Sequence, residues 1–171
     1  MGSLALDDVE SHAELIQRLF DHGVLFSGMT VRVERRFTLP ATCEEVWEFI
    51  SDPEQRAQAI SVVSDYELTD EDGRKAIWYI DIPIPVIRRA ARVETEDTER
   101  DPPHRVEFIG RSKVMRVTGT HRLEETDEGC RLSNEFVVDG KLPSIERFFK
   151  KNLDNELENL ENAIREYLED Q

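Results

Sequence analysis

The sequence predicts an α+β fold: a seven-stranded antiparallel sheet curled around one long C-terminal helix, with two short helices between strands 1 and 2. Three observations carry this. From Ser144 onward, apolar residues recur at Ile145, Phe149, Leu153, Leu157, Leu160, Ile164 and Leu168. Their spacing lays one stripe along a 3.6-residue helix. From Ser61 to Val138 the chain reads as short alternating apolar and polar runs separated by turn residues, as strands with one buried face do. The connections between those runs are short, so neighbours pair antiparallel. A sheet with one apolar face and a helix with one apolar stripe cover each other most simply when the sheet curls around the helix. A coiled-coil dimer is the alternative use of such a stripe, but its four-residue steps drift off a strict heptad.

Residues 1–28 read as an N-terminal extension and 30–171 as a single domain. Met1-Gly2-Ser3 has the form of a cloning scar. Asp8 to Phe20 can form a short amphipathic helix, with Leu15, Ile16, Leu19 and Phe20 on one side and Gly23 as its stop. Thr30 to Phe37 alternates Val31, Val33 and Phe37 against Arg32, Glu34 and Arg36, which makes a strand. Thr42, with Glu45 three residues later, is a capping box that opens a helix bearing Val46, Trp47, Phe49 and Ile50. Asp52-Pro53 ends it and starts a second short helix through about Ile60. Six strands follow: Val62–Leu68, Lys75–Ile82, Ile87 to about Glu96, Arg105–Ile109, Val114–Leu123 and Cys130–Val138. Ser144, right after Pro143, is the expected N-cap of the last helix, with Glu146 at the positive end of its dipole.

A chain of 171 residues suits one domain with a full hydrophobic core. No apolar run approaches the ~20 residues of a membrane span and no signal peptide is read, so a cytoplasmic protein is expected. Cys43 and Cys130 have no Cys or His partner at ligand spacing, which predicts two reduced thiols and neither metal nor cofactor. The net charge of −15, from 37 acids against 22 bases, argues against nucleic-acid binding, which needs a basic footprint. Only five of those bases are lysine; acid-rich, lysine-poor composition resembles that of proteins from salt-loving archaea. The chain carries no nucleophile elbow, phosphate-cradling glycine loop or cofactor fingerprint.

The run Phe37-Thr38-Leu39-Pro40-Ala41, leading into Glu44-Glu45-Val46-Trp47-Glu48-Phe49-Ile50-Ser51-Asp52-Pro53, is the most distinctive stretch. With Gly119-Thr120 and Leu123 late in the sheet, and the terminal helix, it resembles the helix-grip (SRPBCC/START) superfamily. That superfamily includes START domains, the birch pollen allergen and bacterial polyketide cyclases; within it, the chain looks like the group around the G-type subunit of carbon monoxide dehydrogenase. Such a motif marks fold better than function, because the superfamily hosts many functions. The resemblance implies a cavity between sheet and helix that holds an apolar small molecule. The leading expectation is therefore a binding or carrier protein for a lipid, quinone or polyketide-like compound. A cyclase/aromatase-type enzyme using the same cavity is one alternative, and an accessory subunit docking on a partner enzyme or a membrane is another.

Alternation selects the residues that would line such a cavity: Trp78, Ile80, Phe108, Met115, Val117 and Phe136 from the strands, and Phe149 from the helix. The same register turns His121, Asn134, Arg35 and Arg89 inward. An unpartnered polar group there costs about 1–3 kcal/mol, so each has a structural mate, a water or a ligand. For His121 a structural role, a ligand hydrogen bond and acid–base catalysis all remain open, and no catalytic residue is assigned. The two arginines are expected to escape outward. Collected by sheet end, the connections separate by charge. Thr69–Gly73, Asp97–Pro103 and Glu124–Gly129 are acidic, while the opposite end holds Ile84, Val86, Arg88, Arg89, Arg111, Lys113 and Lys141. In the superfamily that second end frames the cavity mouth. A basic, apolar mouth on an acidic protein is expected to meet an anionic lipid surface or an acidic partner, the alternative being that it packs on and pairs with its own neighbours.

Overall fold

Thr30–Leu39 (β1) pairs with the last strand of the sheet, Gly129–Gly140 (β7), rather than with the strand that follows it. The cause lies in the connection, which is occupied by two helices. Cys43–Ile50 (α1) has Thr42 as its N-cap, whose Oγ1 accepts a hydrogen bond from the Glu45 amide at 3.2 Å. Pro53–Ala59 (α2) is capped by Asp52, whose carboxylate accepts from the Glu54 amide at 2.9 Å, with Pro53 in the first turn. Val63–Leu68 (β2), Lys75–Ile80 (β3), Ala91–Asp101 (β4), Arg105–Arg111 (β5) and Met115–Thr126 (β6) then form an antiparallel meander into β7. The sheet order is β1-β7-β6-β5-β4-β3-β2, so β1 and β2 are its edges. Pro143–Glu169 (α3) closes the fold. This computed structural model describes residues 30–84 and 90–171. The expected N-terminal helix, and Val86, Arg88 and Arg89 of the mouth, lie outside the described residues.

The fold class is as the sequence predicts. α3 lies against β1 and β7, with α1 and α2 along its flank. Ile145, Phe149, Leu153, Leu157, Leu160 and Ile164 are buried along its stripe, and Leu168 is half-buried at the end. A side chain of that size contributes about 1.5–3 kcal/mol when fully buried, so the stripe is a main part of the core.

Two details depart from expectation. Ser144 is not the N-cap of α3: the helix begins at Pro143, and Leu142 takes the cap position without a side-chain hydrogen bond. Proline's fixed φ suits the first helical position, and its missing N–H is one that would go unbonded there anyway. The strands also run further into the acidic end. β4 continues to Asp101 across a bulge between Asp97 and Glu99, and β6 and β7 meet at Asp127-Glu128. Gly129 permits this corner. Its φ is +139° and a Cβ there would lie 2.0 Å from the Leu39 carbonyl oxygen, so only glycine lets β7 start against the end of β1.

Candidate functional site

The inner face of the sheet carries a cluster of rings centred on Phe108. In register, Phe108 on β5 stands opposite Gly119 on β6, and Gly119 opposite Phe136 on β7. A Cβ on Gly119 would lie 2.1 Å from Phe108 Cε1, so the missing side chain is the space in which the Phe108 ring lies. Around that ring stand Trp78 (centroids 5.6 Å), Phe136 (5.7 Å, edge-on) and His121 (6.0 Å, stacked). The Arg56 guanidinium, from α2, covers the ring at 5.3 Å, a cation–π geometry.

Four polar side chains are embedded in this apolar setting. His121 and Asn134, opposite each other on β6 and β7, are fully buried, with His121 Nδ1 2.7 Å from Asn134 Oδ1. That pairing puts the proton on Nδ1 and leaves Nε2 as an acceptor. Burial pushes the His121 pKa down to about 3; the nearby Arg56 charge adds to the effect and the Asn134 hydrogen bond opposes it. The ring is therefore neutral near pH 7. Arg56, also buried, donates from Nη2 to Asp97 Oδ1 at 2.6 Å. The other oxygen of Asp97 accepts from Arg100 Nε at 2.9 Å, and Arg100 Nη2 also donates to the Gly73 carbonyl. Two guanidiniums thus share one buried carboxylate, leaving one positive charge uncompensated within the triad. Several buried polar atoms find no partner: Arg56 Nε and Nη1, Trp78 Nε1 and Asn134 Nδ2, all donors, and His121 Nε2, an acceptor.

A cavity of about 540 Å³, open to solvent, lies at one end of the sheet beside α3. Its walls are Ser61 and Val62 after α2, Asp81 to Pro83 and Ala90 beside the β3–β4 connection, and Phe148, Asn152, Asn155 and Glu156 on α3. The volume is in the range of small-molecule sites. Glu156 is a buried carboxylate that pins this corner: it accepts from the Ser61 amide at 2.7 Å and from the Ser61 hydroxyl. Ile82 follows the inward register of Trp78 and Ile80 on β3, so the cavity stands about 13 Å along the strand direction from Trp78.

The residues expected to line a ligand site are all buried: Trp78, Ile80, Phe108, Met115, Val117, His121, Asn134, Phe136 and Phe149. Trp78, Phe108, His121 and Phe136 form the ring cluster, and Asn134 holds His121. None of the nine is in the lining of the 540 Å³ cavity. Arg35 reaches from β1 to the flank of α3, where it pairs with Glu161 at 3.4 Å and Asp154 at 3.6 Å. At the mouth, Arg111 at the end of β5 and Lys113 in the β5–β6 turn are exposed, and Ile84 is half-buried. Sequence reasoning missed Arg56, Asp97 and Glu156. The signal available for Asp97 was parity: it continues the inward series Ala91, Val93, Thr95.

The geometry agrees with a comparison of sequences. Residues 30–165 match the family described as polyketide cyclase / dehydrase and lipid transport. The chain belongs to this family. No curated protein matches the chain in sequence. Among solved structures, a conserved protein from Geobacillus kaustophilus shares 19% identity at a TM-score of 0.64, over 80% of this chain and 93% of that one. A START superfamily protein from Mycobacterium smegmatis shares 16% identity at 0.65, over 81% and 97%. The di-domain ARO/CYC StfQ of the steffimycin biosynthetic pathway shares 12% identity at 0.68, over 99% of this chain and 61% of its own. At these identities the likeness is one of fold.

Proposed function

We propose that this family member binds or carries an elongated hydrophobic molecule, lipid-, quinone- or polyketide-like, whose buried end presents carbonyl or carboxylate oxygens. The observation that supports this is the set of unmatched donors around Phe108. Arg56, Trp78 and Asn134 offer N–H groups against the single free acceptor of His121, and Arg56 adds a charge that Asp97 shares with Arg100. Buried donors without partners cost about 1–3 kcal/mol each, and oxygen acceptors on a ligand would recover that. In this reading the apolar body enters past Val62, Ile82 and Phe148 of the pocket at the open end. Binding is favoured over acid–base catalysis because His121, with its pKa near 3, is a neutral imidazole near pH 7: its Nδ1 proton is held by Asn134 and its Nε2 is a poor base. The opening motif through Asp52-Pro53 supports a place near the carbon monoxide dehydrogenase G-type group within the family.

The test is solvent extraction of the natively purified protein, with mass spectrometry against a matched blank. A stoichiometric compound with an apolar body and a carbonyl or carboxyl end is expected, and Arg56→Met should lose it while remaining folded. Recovery of a pure hydrocarbon, or equal retention by Arg56→Met, would overturn the assignment. If the extract is empty, Trp fluorescence titration with a fatty acid and the matching alkane decides: preference for the acid is expected, and equal or absent binding counts against it.

A further inference from the structure

We propose that the open end of the domain, where the cavity emerges, is a docking surface for an anionic lipid membrane. Exposed cations without an acidic partner are concentrated at that end. Many arginines of the described residues hold ion pairs, for example Arg32 with Glu135, Arg92 with Glu94 and Arg131 with Glu124, and away from the open end Arg74, Lys75 and Arg122 are exposed with no ion pair among the described residues. Six exposed cations at the open end hold none among the described residues: Arg111 at the end of β5, Lys113 in the β5–β6 turn, Lys141 before α3, and Arg147, Lys150 and Lys151 on its opening turns. Four of the chain's five lysines are in that group. An acidic coat spread evenly over the surface would not sort lysines in this way. The acids at or beside the same end include Asp81, Asp139 and Glu146, with Glu156 in the cavity wall and Glu94 opposite Arg111 in the ladder; Asp139 is engaged by the Thr30 hydroxyl, Glu156 by Ser61 and Glu94 by Arg92.

Apolar side chains stand among these cations. Ile84, Val114, Leu142 and Phe148 are half-buried at the same end, and Phe148 also borders the cavity. Cations interleaved with apolar groups suit the boundary between headgroups and acyl chains better than a purely polar acidic protein. The net charge of −15 does not oppose this orientation. The acidic turns lie at the far end of the sheet, about 40 Å away along α3, whereas the Debye length at physiological salt is about 8 Å. A membrane at the open end therefore meets a basic surface.

The test uses the full chain and co-sedimentation with vesicles, either phosphatidylcholine alone or phosphatidylcholine mixed with phosphatidylglycerol. Binding to the mixed vesicles that weakens as salt is raised is expected. Removing one cation at the surface should cost about fivefold in partitioning, so Lys113→Glu with Lys141→Glu and Lys150→Glu should lower it roughly 100-fold or more. The control, Arg74→Glu with Lys75→Glu and Arg122→Glu, makes the same change in net charge on exposed cations away from this end and should bind like wild type. Equal loss in both variants would mean that net charge, not the patch, governs binding, and would overturn the proposal. So would equal binding to both vesicle types, or retention on heparin without retention on vesicles, which would point to an acidic macromolecule. Neither arm needs the cavity to be filled, so an empty solvent extract leaves this test intact.

Discussion

Replacing Asp97 by Asn removes the carboxylate that holds both Arg56 and Arg100 while leaving Arg56, 3% exposed, in the interior. Breaking a buried pair from one side costs about 3–5 kcal/mol, because the remaining charge is uncompensated. The reverse substitution, Arg56→Met, is a different perturbation. Asp97 keeps Arg100 at 2.8 Å, and a methionine fills much of the arginine stem, so the expected cost is about 1 kcal/mol. Adding Arg56→Met to Asp97→Asn should therefore recover most of the loss. For a chain of this size each kcal/mol moves the melting temperature by about 2–4 °C. Asp97→Asn should thus melt roughly 6–20 °C below wild type. Denaturant unfolding of the two single variants and the double variant gives the cycle directly. If Arg56→Met costs as much as Asp97→Asn, or the double variant is no more stable than Asp97→Asn, the account of a stranded buried charge is wrong.

Other perturbations test the rest of the interior. The folded pKa of His121, about 3, lies below its unfolded value of 6.5, so the unfolded state takes up the proton first as pH falls. Stability should decrease below pH 6.5 by about 1.4 kcal/mol per unit from this group, or about 2–3 kcal/mol by pH ~4.5. His121→Gln should flatten that slope in urea titrations, and an unchanged slope would assign it elsewhere. Gly119→Ala puts a methyl group where Phe108 lies. It should cost about 1–3 kcal/mol and alter the near-ultraviolet signal of the ring cluster, whereas a silent substitution would contradict the packing. Glu156→Ala releases Ser61 from α3; a loss of about 1–3 kcal/mol and faster hydrogen exchange at the Ser61 amide are expected, and unchanged exchange there would count against the pin.

The apolar half of this design is legible in the sequence because burial repeats with the period of each element. The stripe from Ile145 to Leu168 and the alternation through Trp78, Phe108 and Phe136 report which faces pack together. Thr42 and Asp52 declare their helices by local chemistry, which needs no tertiary knowledge. The polar half is different. Asp97-Thr98-Glu99-Arg100-Asp101 has the composition of a loop, yet it is strand, because the ladder to Arg105–Phe108 requires only backbone groups. Asp97 is then carried inward by the same parity that buries Val93 and Thr95. Its partner Arg56 comes from a helix forty-one residues earlier, and no local pattern links the two. Glu156 is likewise an acid on the apolar side of α3, paired with Ser61 ninety-five residues away. A buried polar group is tolerated only where a distant partner meets it, so its identity follows from the folded arrangement and not from the segment that carries it. That is why the residues giving this interior its chemical character were harder to read than those giving it shape. Arg56 shows the distinction most clearly: its helix was visible from Asp52-Pro53, but its burial depends on Asp97 arriving across the sheet.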